Sequence, residues 1–437
     1  MGKVISCKEA VELVKSNDVI VVGLGAAEGK CFLENLHLVS NRVRNVIITT
    51  FLPLTPCKYC TDSNNFDSFS MDSFFYSGQL RKLQQNGNIS YVPTHLHLSA
   101  VNRISKVKPN IYVGNATPPD KHGFVSLSLS NVYEKRMIES ADIVILELNP
   151  KLPRTLGDVE VHVDDIDYII NCDYDISTIP EVQPNEKDIK IGKLISDRIN
   201  DGDCIQLGIG AIPDAVANAL MNKKDLGIHT EMFTTGMMKL IKAGVVNGKR
   251  KNIYNGKHVA AFALGTRELY DFLDDNPSVM IRDGYWTNDP CTIGMNDNQV
   301  SINTSVEVDL TGQCASESIG PFQISGTGGQ TDTAVGAQRS KNGRSFIALY
   351  SSVVIRDKIT GESKEISKIV PQLNLGATVS LSRNDVDNVV TEYGIAELKG
   401  LSICERVKRL IDIANPKFRD DLYEEAIKMG IIIKNRF

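Results

Sequence analysis

The chain has too little of several features to belong to many large classes of protein. Among its 437 residues the longest apolar stretches, such as Val19–Ala27, are about half the length that a bilayer span needs. The N-terminus has no basic start followed by an apolar segment, so no secretion signal is predicted. Lys and Arg number 48 against 53 Asp and Glu, which leaves a net charge of −5 and no basic footprint for nucleic acid. We therefore expect a cytoplasmic protein that binds neither membranes nor nucleic acid.

Cysteine is also scarce, and its pattern is weak. Nine cysteines in a chain of this length are an odd number and too few for a disulfide framework. Cys57 and Cys60 form a single CxxC pair, with no second pair and no histidine at the spacing of a zinc site. No HExxH motif, P-loop or Ser-His-Asp constellation stands out. The sequence therefore predicts no metal site and leaves chemistry by a single carboxylate as the hypothesis.

What the chain does contain is a weak internal repeat. A helical segment ends in an acidic turn at Asp18 and leads into Val19–Ala26, an apolar strand followed by a GxGA turn. The same order returns downstream, where Asp203 precedes the strand and GxGA turn of Cys204–Ala211. Two copies of helix, acidic turn, strand, glycine turn and helix predict two related α/β domains in tandem.

The composition of a linker marks the boundary between the two copies. The segment Asp175–Asp188 holds Pro180, Pro184 and several charged residues without a sustained period. We place one domain at residues 1–180 and a second at residues 181–437. The predicted fold class is α/β, with two tandem open α/β domains in which short strands alternate with helices. The predicted strands include Ile47–Phe51, Ile143–Glu147, Val259–Leu264, Ser345–Leu349 and Thr378–Ser380.

The glycine turn of the second copy is a candidate binding site. Glycines directly after a buried strand let backbone amides approach a ligand, and Pro213 suits the first turn of the helix that follows. An anionic or nucleotide-like ligand is one interpretation, and a tight turn without a ligand is the other. A dinucleotide fingerprint would need a glycine where Pro213 stands, although Glu231 falls at the spacing of its ribose-binding acid.

Glu231 is the candidate for a reacting carboxylate. It ends the predicted strand Leu226–Glu231, and functional groups of open α/β sheets gather beyond the carboxyl ends of strands. A solvated or structurally paired Glu is the alternative. Downstream, Ile302–Leu310 alternates apolar and polar residues as a half-buried strand does. The glycine cluster Ser325–Asp332 then opens a helix and offers amide donors to a carbonyl oxygen or an anion, with a plain flexible turn as the alternative.

Read together, these segments resemble the family I coenzyme A transferases. The closest likeness is to the 4-hydroxybutyrate and butyrate:acetate CoA-transferase branch of the acetyl-CoA hydrolase/transferase group. The resemblance runs through nearly the whole chain in one order. The matching stretches are Thr117–Phe124, Gly157–Asp158, Leu207–Val216, Gly227–Met232, Leu264–Phe272, Gly312–Gln313, Ser316–Gly320, Ser367–Pro371, Thr378–Asn384 and Val390–Glu397.

The resemblance implies two tandem open α/β domains with the active site between them, and a glutamate nucleophile that falls on Glu231. The implied reaction moves CoA by a ping-pong mechanism, through a glutamyl-CoA thioester, between butyryl-, 4-hydroxybutyryl- or acetyl-CoA and a carboxylate such as acetate. CoA is then a substrate, no cofactor is tightly bound, and a homodimer or larger homo-oligomer is implied. The implied CoA contacts fall on Gly208, Ile209, Gly210, Ala211, Ile212, Gly329 and, through the backbone, Val306.

The chain departs from the family pattern at two places. The family usually has an acidic residue before the glycine that follows the catalytic Glu, and Thr235 stands there in this chain. Many members carry a lysine near Ile355 that meets the CoA phosphate, so that Arg356 or Lys358 would have to replace it, or the contact is absent. The first departure puts the size and polarity of the acceptor in question.

Three other functions stay open on the sequence. An acyl-CoA hydrolase would use the same fold and glutamate but deliver water to the acyl group. A CoA or metabolite sensor on the same scaffold would bind without turnover. A dehydrogenase would bind NAD at the glycine turn, which Pro213 disfavours.

Overall fold

A computed structural model describes residues 2–356 and 361–433 of the protein, and its first half is built on a sheet of eight parallel strands. The order across this sheet is β1-β11-β8-β6-β2-β3-β4-β5, and β7 and β10 form a separate antiparallel pair. The strands of the first half are β1 Lys3–Val4, β2 Val19–Val22, β3 Val46–Thr50, β4 Phe69–Ser73, β5 Ile89–Tyr91, β6 Ile111–Ala116, β7 Phe124–Ser126, β8 Ile143–Leu148, β9 Leu156–Gly157, β10 Glu160–His162 and β11 Tyr168–Asn171.

The second half is built on a sheet of nine strands in the order β26-β25-β21-β16-β12-β13-β14-β15-β9. All neighbours in it run parallel except β25 and β26. The strands are β12 Cys204–Leu207, β13 Gly227–Phe233, β14 His258–Ala263, β15 Val279–Ile281, β16 Gln299–Thr304, β17 Glu307–Asp309, β18 Cys314–Ala315, β19 Ser318–Ile319, β20 Phe322–Gln323, β21 Arg344–Ala348, β22 Ser352–Arg356, β23 Ser363–Ser367, β24 Ile369–Val370, β25 Asn388–Thr391 and β26 Gly394–Glu397.

Helices connect the parallel strands and cover the faces of the sheets, as crossover connections require. They are α1 Cys7–Glu12, α2 Lys30–Asn35, α3 Lys58–Thr61, α4 Gly78–Leu83, α5 Ser99–Ile104, α6 Glu134–Ser140, α7 Glu186–Ser196, α8 Ala211–Ala219, α9 Thr235–Lys242, α10 Arg267–Leu273, α11 Gly284–Thr287, α12 Pro290–Ile293, α13 Gln330–Arg339, α14 Ile403–Asp412 and α15 Arg419–Lys428.

The strand order confirms the fold class and the internal repeat. In the first sheet β2 lies between β6 and β3, and in the second β12 lies between β16 and β13, with further strands following on each side in the same sequence. The registers also correspond, because Ile20 pairs with Ile48 in one half and Ile205 pairs with Ile228 in the other. Ile48 and Ile228 are therefore equivalent positions. Phe51 follows Ile48 by three residues and Glu231 follows Ile228 by three residues, so Phe51 in the first half is equivalent to Glu231 in the second.

The two halves are packed into one molecule. The largest cluster of buried side chains includes Val21 and Phe74 from the first half together with Ile205 and Phe346 from the second. The chain also crosses between the sheets, since β9 from the first half extends the second sheet beside β15. The segment between β11 and α7 forms neither helix nor strand, and the domain boundary at residues 180 and 181 remains a prediction.

Several local expectations are corrected. Most of the strands predicted from the sequence form within one or two residues of their expected bounds, but Thr378–Ser380 forms no strand. It lies along the Ser316–Ser318 segment, where Thr378 N–H donates to Ser318 Oγ and Ser316 N–H donates to Ser380 Oγ. The sparse cysteines do include one disulfide, Cys7–Cys31, because α1 and α2 pack together and bring the two Cα atoms to 6.0 Å. Cys57 and Cys60 are free and buried.

Within the described ranges, no helix is both long and apolar enough to cross a bilayer. Over the same residues, no group of three or more His, Cys, Asp or Glu side chains is arranged to hold a metal ion.

Candidate active site

Glu231 opens into a cavity of about 170 Å³ at the carboxyl edge of the second sheet. The ends of β12, β13 and β16 form its floor, and the Ser325–Gln330 segment forms one wall. The first half closes the cavity with Phe51, Leu52 and Phe75. Ligands of open α/β sheets bind beyond the carboxyl ends of the strands, and this cavity has that position.

The Glu231 carboxylate is held by an amide and by a backbone turn. Asn288, which is fully buried and follows α11, donates from Nδ2 to Oε2 of Glu231 at 3.2 Å. Burial raises the pKa of Glu231 to about 7, and the nearby charge of Asp332 adds to the rise. Hydrogen bonding from the Asn288 side chain and the Gly329 backbone opposes it. Glu231 is thus a carboxyl group that is partly ionised near neutral pH and poorly solvated.

His229, on the same strand, fixes the end of α11 beside Glu231. Its Nε2 lies 2.8 Å from the carbonyl oxygen of Thr287, the residue before Asn288. Burial lowers the pKa of His229 to about 3, so the ring is neutral and its Nε2–H donates to that carbonyl. The local sequence His229-Thr-Glu231 therefore places an anchor for Asn288 and the candidate carboxylate on one face of one strand.

The turn before α13 lies directly against the carboxylate. A Cβ added at Gly329 would collide with Oε2 of Glu231 and with Nδ2 of Asn288, so only glycine fits there. Gly328 has a φ of +53°, a left-handed conformation that glycine adopts without strain. The turn precedes a ten-residue helix, and the Gly329 backbone N–H hydrogen-bonds the Glu231 carboxylate, so a backbone donor at the start of this helix lies beside that group.

The first half of the chain holds this turn through hydrogen bonds to and from the turn's main chain. Tyr76 N–H donates to the Ser325 carbonyl at 3.1 Å, and Leu96 N–H donates to the Gly328 carbonyl at 3.2 Å. Thr327 N–H in turn donates to the Tyr91 hydroxyl at 3.1 Å. The geometry around Glu231 therefore depends on contacts between the two halves.

The residues of the predicted CoA turn separate into three groups. Gly208 and Ile209 line the cavity of Glu231. Gly210 lies beyond Ile209 in an adjoining depression, with a φ of +107°. Ala211 and Ile212 begin α8, where the Ile212 side chain is buried in the core. Direct ligand contact by all five residues stays a prediction, and Gly208 and Ile209 are the best placed.

The remaining predicted positions differ in their support. Val306 does not line the cavity, and its N–H already donates to the Ala315 carbonyl at 3.0 Å. A CoA contact at Val306 stays a prediction, and its backbone N–H is not available as the donor for it. Thr235 is buried at the start of α9, and its Oγ1 accepts from Thr266 N–H at 3.1 Å. Arg356 is exposed at the end of β22, whereas Lys358 lies outside the described residues.

Sequence reasoning missed the apolar wall of the cavity. Phe51 and Phe75 stack with ring centroids 5.9 Å apart, and Met232 and Phe262 complete the wall from the second half. The internal repeat contained the signal for Phe51, because that residue is the counterpart of Glu231. Asn288 was also missed, since an isolated Asn after a short helix has no pattern that indicates a site.

A poorly solvated carboxylate therefore lies beside a glycine turn and faces an apolar wall to which the first half of the chain contributes. Profiles of the acetyl-CoA hydrolase/transferase N-terminal domain and C-terminal domain match residues 1–180 and 265–426. The chain therefore belongs to the acetyl-CoA hydrolase/transferase family.

Relatives of known description span nearly the whole chain. It is 40% identical to the succinyl-CoA:cyclohexane-1-carboxylate CoA transferase of Geobacter metallireducens over 98% of this chain and 96% of the relative. It is 39% identical to the 4-hydroxybutyrate coenzyme A transferase of Clostridium kluyveri over 98% and 97% of the two chains. The crystal structure of RipA from Yersinia pestis superposes with a TM-score of 0.90 at 33% identity, covering 98% of both chains.

Proposed function

We propose that the protein is a CoA-transferase that moves CoA from a short-chain acyl-CoA to a free carboxylate, with Glu231 as the covalent nucleophile. The observation that carries the proposal is the Glu231 carboxylate itself, which faces a cavity walled by both halves and lies against the Gly329 turn. Family membership supports the reaction class, and the names of the two relatives support CoA transfer over other acyl chemistry.

The reaction needs no bond energy from outside. An oxygen of Glu231 attacks the thioester carbon, the C–S bond breaks, and a mixed anhydride and CoA thiolate result. The thiolate then attacks the glutamyl carbonyl carbon, the anhydride C–O bond breaks, and the first carboxylic acid leaves as its anion. An incoming carboxylate reverses both steps and leaves with CoA. No redox change, ATP or metal enters this balance.

The surrounding residues supply orientation and charge stabilisation. Asn288 fixes one carboxylate oxygen of Glu231 and can follow it as charge moves to the carbonyl oxygen of the adduct. The amides of the Gly328–Gly329 turn are preorganised donors for the oxyanions of both tetrahedral intermediates. Phe51 and Phe75 exclude water, which protects the anhydride from hydrolysis.

The shape of the cavity supports small, mainly apolar acyl groups. Its 170 Å³ is below the size of about 300 Å³ at which pockets for drug-sized ligands begin, so it suits the acyl group and the thioester rather than the whole of CoA. Butyryl-, 4-hydroxybutyryl- and acetyl-CoA are the donors we propose, with acetate as an acceptor. A homodimer or larger oligomer remains a prediction.

Initial-rate kinetics test the proposal against hydrolysis on the same site. With butyryl-CoA and acetate varied together, a transferase that parks CoA on Glu231 gives parallel double-reciprocal lines. A hydrolase releases butyrate at a rate that acetate does not change, and direct transfer gives intersecting lines. Either of these results would replace the proposed mechanism, and loss of all turnover with retained CoA binding would favour a sensor.

The pH dependence of the first half-reaction is expected to follow Glu231. Only the ionised carboxylate attacks, and burial raises its pKa to about 7, so kcat/KM for butyryl-CoA falls as the pH drops through about 7. Single-turnover loading measured between about pH 3.5 and 9 checks this without an acid substrate that titrates in the same range. An acid limb near the ordinary glutamate value of about 4.3 would show that Glu231 is not the attacking group.

Alanine at Gly208 and at Gly210 separates ligand approach from backbone strain. At Gly208 the nearest atoms to a new Cβ lie at 3.8 Å, so Gly208→Ala should fold normally and raise KM for acyl-CoA severalfold by narrowing the cavity. At Gly210 a new Cβ meets nothing within 4 Å, but the φ of +107° strains it, so Gly210→Ala should mainly lower Tm. Melting curves and KM measured together decide, and an unchanged KM in both variants would remove this turn from the CoA site.

A further inference from the structure

We propose that His97 is a positioning residue for the Glu231 site: it anchors the first turn of α13 to the first half of the chain and balances the charge of Asp332 beside Glu231. The proposal rests on the proposed function, because it assigns a role within the same reaction. His97 lies in the short 3-10 turn Leu96–Leu98, outside the wall of the cavity.

Two hydrogen bonds join His97 to Asp332. The His97 backbone N–H donates to Oδ2 at 3.1 Å, and Nδ1 of the ring lies 2.8 Å from Oδ1. Since a carboxylate only accepts, Nδ1 carries the proton in this contact. Asp332 is 2% exposed and stands in the first turn of α13, three residues after Gly329. Both oxygens of a buried carboxylate are therefore satisfied by one residue of the opposite half.

The neighbouring residue holds the other side of the same turn. Leu96 N–H donates to the Gly328 carbonyl at 3.2 Å, while His97 holds Asp332. Gly329, whose amide faces Glu231, lies between these two attachment points. A shift of His97 would let the start of α13 move, and displacements of about 1 Å in such a site cost up to about a hundredfold in rate.

The contact also sets the charge next to the nucleophile. The negative charge of Asp332 raises the pKa of Glu231, so a positively charged partner hydrogen-bonded to Asp332 counteracts that effect. Burial alone would lower the pKa of His97, but its hydrogen bond with Asp332 and the charges of Asp332 and Asp289 raise it overall. His97 is thus kept protonated to higher pH than an isolated histidine.

Other charged groups near His97 do not replace it. His95 has Nδ1 at 3.8 Å from Oδ1 of Asp332, which is within ion-pair distance but too far for a hydrogen bond, and because its side chain is 48% exposed, solvent screens this pair. Asp289 caps α12, and its carboxylate is an acidic group like that of Asp332, so it does not balance the Asp332 charge. Of the two helices packed on the turn, α11 carries no carboxylate, amine or imidazole, and Arg103 of α5 is paired with Asp72.

Three variants of the full-length protein test the two parts of this role. In His97→Ala, kcat for CoA exchange should fall between about tenfold and a hundredfold with KM for acyl-CoA changed less than about twofold. In His97→Asn, Nδ2 takes the place of the Nδ1 donor, so most of kcat should return although the charge does not. His95→Ala is the matched control, and its kcat should stay within about twofold of wild type.

The charge is measured on Glu231 directly. Asp332 raises the pKa of Glu231, and the two variants remove the ring that offsets its charge. The acid limb of loading should therefore move to higher pH by about one pH unit in both His97 variants and stay in place in His95→Ala. Titration of ¹³C-labelled glutamate side chains by NMR reads the same shift without turnover, so it holds even if the CoA-transferase assignment fails.

An unmoved Glu231 titration in His97→Ala would overturn the electrostatic part. If kcat in His97→Ala fell only in step with a lowered Tm, and if kcat did not recover in His97→Asn, the contact between His97 and Asp332 would be purely structural. That result would overturn the positioning role. Failure of the proposed function is recognised separately, as a wild-type protein that exchanges no CoA while the NMR shift is still present.

Discussion

Replacing Glu231 with Gln is expected to abolish CoA exchange, with a rate loss of about three orders of magnitude or more. An amide oxygen is a poor nucleophile and cannot form the thioester that returns the carboxylate. The fold should be unaffected, because burial already penalises the charged form of this group and a neutral isostere avoids that penalty. Exchange rates and melting temperature of Glu231→Gln, measured on the same preparation, check both statements.

Asp214→Asn is the matched control for this variant. Asp214 is a half-buried acid in α8 that lines the depression on the far side of Ile209. The Asp214→Asn substitution therefore removes one carboxylate that is close to the glycine turn but outside the cavity of Glu231. Its exchange rate should remain within about twofold of wild type. If Glu231→Gln kept more than a few per cent of activity, or if both variants lost it equally, Glu231 would not be the nucleophile.

The second large effect is expected at Gly329. In Gly329→Ala the new methyl group takes the space of Oε2 of Glu231 and Nδ2 of Asn288, so the carboxylate must leave its position. The same change disturbs the amide that faces it. We expect kcat to fall by about a hundredfold or more, as for the loss of one oxyanion donor, with the protein still folded.

Gly328→Ala distinguishes collision from backbone strain. At Gly328 the nearest atom to a new Cβ is 3.5 Å away on Phe75, but the φ of +53° disfavours alanine. This variant should lose stability by about 1 kcal/mol and keep most of its kcat. Equal losses of kcat in the two variants would mean that mobility of the turn, not its fit against Glu231, limits the reaction.

Much of the fold could be predicted from the sequence because the two copies of the internal repeat show the same order of elements. A lone strand followed by GxGA is weak, but Val19–Ala26 and Cys204–Ala211 occupy equivalent places in two sheets with matching strand order. The extension of the second sheet by Leu156–Gly157 could not be predicted, because two residues have no period and their pairing depends on the packing of both halves.

The nucleophile candidate could be found, but most of its environment could not. Glu231 combines a strand position with a glycine turn in the same half, which is a local signal, although the strand continues to Phe233 rather than ending at Glu231. Phe51, Leu96 and His97 come from the other half and reach the site only through tertiary structure. His97 lies in a 3-10 turn that no periodic pattern in the sequence indicates, and both its backbone and its ring contact Asp332.

The most direct test of the account is the mass of the protein after exposure to butyryl-CoA alone, with no acceptor acid. We expect one adduct per chain, equal in mass to CoA less one water, that maps to the peptide containing Glu231. The adduct should disappear when acetate is added, be trapped by hydroxylamine with loss of activity, and be absent from Glu231→Gln. Exchange of CoA by a wild-type protein that carries no adduct, or an adduct that persists in Glu231→Gln, would contradict the covalent role of Glu231.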